Sequence, residues 1–308
     1  MKHLITFLSL VIMSTNANAQ QWVDTNLYPF QHHTISLKAG NMNYVDEGEG
    51  ETILFVHGTP TWSFLYRDFI KDLSNNYRCI AIDHIGFGLS DKPTDYSGRP
   101  EDHAKNLSEF ICKLDLQNVT LVVHDFGGPI GLAAGIMNSE RINKVVLFNS
   151  WLWSTKERED AKKIDKMVNS RLGKFLYLNL NISPKVLLKK GFADKKNLSK
   201  KEHQHYLNPF PKKTTRHGLL NLAKALLGSS EWYQKQWEQL DKLEDKEWLI
   251  IWGTEDEFIK MEELLKWKNR LPQSTIVELN CGHFVQEEKT EKSISLIFRF
   301  LKKQSSDL

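Results

Sequence analysis

Cysteine is scarce. Three residues, Cys79, Cys112 and Cys281, occur in a chain of 308, an odd and low count that excludes a disulfide-built scaffold and allows one bridge at most. Cys79 lies in an apolar strand-like run and Cys112 in a helix-like one, so both read as core residues. Cys281 sits beside His283, but no metal-ligand spacing surrounds it. A surplus of one charge is also lacking: 41 basic residues face 38 acidic ones, a formal net charge of +3. That balance argues against a nucleic-acid partner. No apolar run reaches the roughly 20 residues that a membrane-spanning helix needs, so no membrane anchor is expected. Internal repeats and low-complexity linkers are missing too, and the oligomeric state is left open.

What is present is enough apolar material, 41 % of residues, for one large core or a core with a sizeable insertion. The first residues stand apart. A short basic start, Met1-Lys2-His3, precedes the apolar run 4–13, and Ala17-Asn18-Ala19 supplies an A-x-A cleavage site before Gln20. Residues 1–19 therefore read as a signal peptide, and the protein as exported to a periplasmic or extracellular setting.

Short apolar runs then alternate with helix-like segments. Strand candidates are 52–56 (TILFV), 78–82 (RCIAI), 120–123 (TLVV), 144–148 (KVVLF), 248–252 (WLIIW) and 275–279 (TIVEL). Near-continuous apolar strands alternating with helices predict an α/β fold with a mostly parallel central sheet flanked by helices. Between 151 and 246 the strand signal vanishes into Lys-, Leu- and Trp-rich amphipathic segments, among them 185–190 and 219–227. This predicts a core of 20–150 and 247–308 interrupted by a helical cap, 151–246. The Lys-rich runs 189–190 and 195–201 read as solvated helix faces.

The run Val123-His124-Asp125-Phe126-Gly127-Gly128 follows a buried strand and precedes a helix-like stretch, 129–137. A strand, a sharp turn and a helix form the elbow that usually carries a serine nucleophile, with small residues on either side. Gly127 satisfies the pattern and Val123 departs from it. An aspartate at the apex is chemically informative. A carboxylate needs no base to ionise it at neutral pH. It suits attack on a saturated carbon that bears a leaving group, giving an ester that water must then hydrolyse. Partners follow in the order nucleophile, acid, histidine: Asp256 just past 248–252, with Glu255 as a competitor, and His283 just past 275–279. Loops at the carboxyl ends of parallel strands are where open α/β sheets place their sites. Asp256 is expected to accept the His283 Nδ1–H and turn Nε2 toward the reacting water. After 52–56 comes His57-Gly58-Thr59-Pro60-Thr61-Trp62, where the Thr59 and Phe126 N–H groups are placed to form an oxyanion hole.

These motifs resemble haloalkane dehalogenases of the α/β-hydrolase fold. The resemblance rests on His57 to Arg67 (HGTPTWSFLYR), Asp83 to Pro93 (DHIGFGLSDKP), the elbow, Tyr44 to Gly48 (YVDEG) and Cys281 to Glu287 (CGHFVQE). It implies displacement of halide from a small apolar organic substrate by Asp125, and hydrolysis of the alkyl-enzyme ester by water that His283 activates. No cofactor or metal is implied. The family usually has tryptophan after the nucleophile and asparagine at the position of Thr59, both donors to the departing halide; here they are Phe126 and Thr59. Trp151 or Trp153 is a candidate replacement indole. Related chemistry supports other readings: an epoxide hydrolase, which uses two cap tyrosines and for which Tyr177, Tyr206 and Tyr233 lie in the cap without a diagnostic spacing, or an enzyme acting on a strained lactone. A reading of another class is an exported binding protein on a decayed hydrolase scaffold.

Overall fold

In a computed structural model the described residues are 22–302; the expected leader lies outside them. Eight strands form one sheet in the order β1-β2-β4-β3-β5-β6-β7-β8. They are β1 (His32–Leu37), β2 (Gly40–Glu47), β3 (Thr52–Val56), β4 (Arg78–Ile82), β5 (Val119–His124), β6 (Ile142–Phe148), β7 (Glu247–Gly253) and β8 (Thr275–Leu279). From β4 to β8 every pairing is parallel, whereas β1 pairs with β2, and β2 with β4, antiparallel. All of β3 and β5 is buried, as expected where helices cover both faces. The apolar runs at 52–56, 78–82 and 275–279 coincide with strands, and the other three lie within slightly longer ones.

The antiparallel pair at the sheet edge was not foreseen. In β1 only Leu37 is buried, and in β2 buried and open positions alternate irregularly, so neither makes the continuous apolar run that marked the others. The cysteines need a correction as well. All three are free, and Cys112 is exposed. Helical periodicity turns Leu107, Phe110 and Ile111 of the helix Pro100–Lys113 inward and the next residue out.

Between β6 and β7 the chain passes through the helices Glu159–Asn169, Arg171–Leu178, Lys200–Leu207, His217–Gly228 and Ser230–Glu238. The stretch 185–190, read as one helix, is instead a wide π-type turn, Ser183–Leu187, running into Leu188–Lys190. A capping box starts the helix at Lys200: Ser199 Oγ accepts the Glu202 N–H at 3.2 Å while Glu202 Oε2 accepts the Ser199 N–H at 2.8 Å. The same Glu202 reaches the core. Arg67, itself buried, donates to Glu202 Oε1 at 2.9 Å and to Glu287 at 2.6 and 2.7 Å, and Tyr206 donates to Glu287 as well. Removing one member of such a buried set leaves an unpaired charge, at a cost of roughly 3–5 kcal/mol. The helical insertion is thus fastened to the sheet domain. Among the described residues no helix is long and apolar enough to cross a membrane.

Candidate active site

Asp125 stands at the tip of the turn between β5 and the helix Gly127–Met137, with φ of 53°. A non-glycine residue in this left-handed region carries strain of roughly 1–3 kcal/mol, so the turn must be held from outside. Its N–H donates to Asn149 O at 3.1 Å, and its carbonyl accepts from Gly128 N–H at 2.9 Å and Ser150 Oγ at 2.6 Å. Neighbouring backbone packs too closely for side chains here. A Cβ on Gly127 would lie 2.3 Å from Val56 O, and one on Gly58 would lie 2.2 Å from Asp125 Oδ1. The departure at Val123 is absorbed by the following helix. A Cβ on Gly131 would come within 2.6 Å of Val123 Cγ1, so the bulk added to the strand is matched by a side chain missing from the helix.

The two carboxylate oxygens of Asp125 have different surroundings. Oδ1 accepts the Thr59 N–H at 2.8 Å, and Oδ2 lies 3.5 Å from His283 Nε2. The side chain is enclosed yet keeps 11 % of its surface accessible, so open space abuts the carboxylate. Burial by itself pushes the Asp125 carboxyl up. The hydrogen bond and charge of His283 act against burial, helped by His124 and the Phe126 N–H, and hold it below its ordinary value. The carboxylate is therefore ionised at neutral pH.

His283 bonds to Asp256 through Nδ1 at 2.7 Å. Asp256 Oδ2 also accepts from Asn149 Nδ2 at 2.8 Å, and its Oδ1 accepts the N–H groups of Phe258 and Ile259 at 2.7 and 3.0 Å. An acceptor so occupied obliges His283 Nδ1 to donate, which leaves Nε2 toward Asp125. Burial alone would push the imidazole down; the charges and hydrogen bonds of Asp256 and Asp125 outweigh it and hold His283 at about 10. Glu255, the competing acid, is exposed. The helical insertion closes over this corner: Gly191 O accepts the His283 N–H at 2.7 Å.

Asn149 went unnoticed in the sequence. Fully buried at the end of β6, it fixes Asp256 and also accepts the Gly253 N–H at 2.7 Å, tying the ends of β6 and β7 together. Its only sequence signal was a polar residue directly after the apolar run KVVLF. The motif residues His57 and Asp83 prove to be struts. His57 Nε2 accepts the His84 N–H at 3.0 Å, so its proton sits on Nδ1, which donates to Gly58 O at 2.7 Å. Asp83 accepts from Ser63, Leu89 and Asn43, joining β2 to the segments that carry Ser63 and Leu89.

Phe126, next to the nucleophile position, has no side-chain donor. Phe126 packs edge-on against Trp151, ring centroids 4.9 Å apart. Thr59 Oγ1 and Trp151 Nε1 are buried without a hydrogen-bond partner. Trp153, the other candidate indole, donates to Glu263 Oε2 at 2.7 Å and is committed there. Of the insertion's tyrosines, Tyr206 donates to Glu287 and Tyr233 to Ala225 O at 2.9 Å. Tyr177 is buried, and burial pushes its hydroxyl up to about 12.

A carboxylate at a strained strand–helix turn, facing an imidazole held by a second carboxylate, on a mostly parallel sheet, defines the α/β-hydrolase class. Comparison with known proteins agrees. A family described by the α/β-hydrolase fold matches residues 51–290. Haloalkane dehalogenase 2 of Mycobacterium tuberculosis is 32 % identical over 281 residues, 90 % of this chain and 97 % of that one. A cis-3-alkyl-4-alkyloxetan-2-one decarboxylase of Shewanella oneidensis is also 32 % identical, over 288 residues and 89 % of each chain. The crystal structure of haloalkane dehalogenase DatA from Agrobacterium tumefaciens C58 superposes with a TM-score of 0.81 at 24 % identity, covering 91 % of this chain and 99 % of that one, a likeness of fold. This chain belongs to the α/β-hydrolase family, as a haloalkane dehalogenase-like hydrolase.

Proposed function

We propose that this enzyme hydrolyses carbon–halogen bonds in small apolar molecules by way of a covalent ester on Asp125, beneath a cap formed by residues 151–246. The supporting observation is the asymmetry of the Asp125 carboxylate, with Oδ1 held by the Thr59 N–H and Oδ2 free to face the substrate and His283. Oδ2 attacks the carbon from behind, the carbon–halogen bond breaks, and halide leaves with the bonding pair. His283 in its neutral form then takes a proton from water, whose oxygen attacks the ester carbon. The negative charge that develops on Oδ1 falls where the Thr59 N–H already points, with the Phe126 N–H beside the same carboxyl group. Collapse releases the alcohol and restores the carboxylate; one halide and one proton leave per water consumed. A single turnover in ¹⁸O-water tests this: the alcohol should carry ordinary oxygen, taken from Asp125, and heavy oxygen in the alcohol would refute the ester route.

A second reading, decarboxylation of a β-lactone, is favoured by the oxetanone-decarboxylase relative and by the absence of a side-chain N–H donor on Phe126. Attack on the ring carbon would open the lactone to a free carboxylate in place of halide release; loss of that carboxylate as CO₂, its bonding pair forming the double bond as the Asp125 carboxylate leaves the neighbouring carbon, would give the alkene. Alkene formed from a cis-dialkyl oxetanone, without halide release from bromoalkanes, would support it. Two committed tyrosines, Tyr206 and Tyr233, weigh against an epoxide hydrolase, which needs two free hydroxyls. Export is proposed from residues 1–19 alone, and a processed chain beginning at Gln20 would support it.

A further inference from the structure

Six large apolar side chains stand exposed among the described residues, and four of them fall within 172–186: Leu172 at 64 %, Phe175 at 49 %, Leu180 at 47 % and Val186 at 45 % exposed. All four lie on one short stretch of the helical insertion: Leu172 and Phe175 on the helix Arg171–Leu178, Leu180 in the link after it, and Val186 on the turn Ser183–Leu187. The inner side of that stretch is buried through Gly173, Tyr177, Ser183 and Pro184. Exposed single apolar residues need no explanation, but a concentration of them on one element does.

The charges around them are as uneven. Between 171 and 201 the sequence holds nine basic residues and one acidic one, Asp194, although the whole chain is nearly balanced. Lys174 and Lys185 are exposed between the apolar residues, and Lys189 and Lys190 just after them. The following helix, Lys200–Leu207, stays close, its His203 Nε2 lying 2.8 Å from Pro184 O.

We propose that this outer face of the cap docks on an anionic lipid surface, the apolar side chains entering the headgroup boundary while the lysines meet the lipid charges. The composition selects this occupant. Eight of the nine basic residues are lysine, the residue that protein–protein interfaces tend to exclude and arginine replaces. Lysine stems lie along apolar surface while the ammonium stays at the headgroups, and basic residues interleaved with Leu, Phe and Val are the pattern of interfacial helices. A second copy of the chain fits poorly, since a two-fold contact would bring two strongly positive patches together. The proposal is independent of the catalytic reading.

Flotation with vesicles of phosphatidylcholine, with and without phosphatidylglycerol, tests it. The full chain should bind the anionic vesicles and release them in high salt. Lys174→Glu with Lys185→Glu should weaken binding about tenfold or more. Leu172→Ser with Phe175→Ser should weaken it several-fold at low salt. Every variant carries the same N-terminus, so differences report the cap, and these exposed changes should leave turnover of a water-soluble substrate unaltered. Equal binding to neutral and anionic vesicles would overturn the proposal. So would wild-type binding by the serine variant, or a protein dimer that forms without lipid and is lost in the same variants.

Discussion

His283 is flanked by two carboxylates, and on the proposed mechanism one of them loses its charge during turnover. Replacing Asp125 by asparagine imitates that moment, because an amide, like an ester, carries no charge. The separation from His283 Nε2 to Asp125 Oδ2 is 3.5 Å. At an effective dielectric near 20, two unit charges at this distance attract by roughly 5 kcal/mol, which corresponds to roughly 3 pKa units. Since Asp125 Oδ1 is held by the Thr59 N–H, the asparagine oxygen should take that position and its NH₂ should face Nε2, which favours neutral imidazole further. The pair of carboxylates holds His283 at about 10 in the resting enzyme; in Asp125→Asn it should titrate near neutrality. On this reasoning, ester formation itself frees the imidazole to act as a base at pH 7. Nitrogen NMR of the imidazole across pH in both proteins measures the change. A difference below one unit, or a wild-type His283 that titrates near its ordinary value, would refute the reasoning. Stability offers an independent check. A raised folded-state pKa stabilises fully below the unfolded value of 6.5 and loses that contribution as pH climbs to about 10. Denaturant unfolding of the wild type should therefore weaken between these limits more than that of Asp125→Asn.

Other expectations follow from individual contacts. In His283→Gln, which has no base, a substrate that the wild type turns over should leave its alkyl group on Asp125, visible as a mass increase of that peptide; an unmodified peptide would exclude the ester. Phe126→Trp should speed halide release, by up to about 100-fold if the indole reaches the leaving group as an oxyanion-type donor does. An unchanged rate in a folded variant would mean that halide is held elsewhere. Gly131→Ala should destabilise by about 1–3 kcal/mol through the clash with Val123, and adding Val123→Ala should recover most of the loss in thermal unfolding. Additive effects of the two changes would show that the contact is unimportant. Asn149→Ala should lower both stability and the rate of ester hydrolysis, because Asp256 loses a donor at 2.8 Å and a buried acceptor is left short; full hydrolysis in that variant would remove Asn149 from the machinery.

The buried parallel strands could be read from the sequence because a strand covered on both faces is apolar at every position, a local property. The edge strands β1 and β2 could not, since half-open positions blur the pattern and β2 joins the sheet only through β4, more than thirty residues away. Asp125, Asp256 and His283 were visible because each follows a recognisable strand. Asn149 follows one as well, but a lone amide has no chemistry that announces it; its importance comes from reaching across to β7, which only the fold supplies. Cys112 was misplaced by reading an apolar neighbourhood where the helical angle of one residue decided the matter. The fate of Trp153 also depended on a distant residue, Glu263, that no local pattern connects to it.

The two sides of the site are unequally furnished, and on the proposed mechanism this sets the order of the barriers. Around Asp125 Oδ1, His283 and Asp256 the donors and acceptors are paired before any substrate arrives. Preorganised groups lower a barrier only where charge develops. In ester hydrolysis charge develops on Oδ1, which the Thr59 N–H already reaches. In the displacement step it develops on the leaving group, and there the residue after the nucleophile, Phe126, offers a ring with no N–H donor on its side chain. Displacement is then the slower step and hydrolysis the faster one, so the ester stays scarce in the wild type and accumulates only when His283 is removed. A better leaving-group donor accelerates the first step alone. Its benefit ends where ester hydrolysis becomes limiting, so the gain from Phe126→Trp is capped by His283 and Asp256, residues that the new indole does not touch.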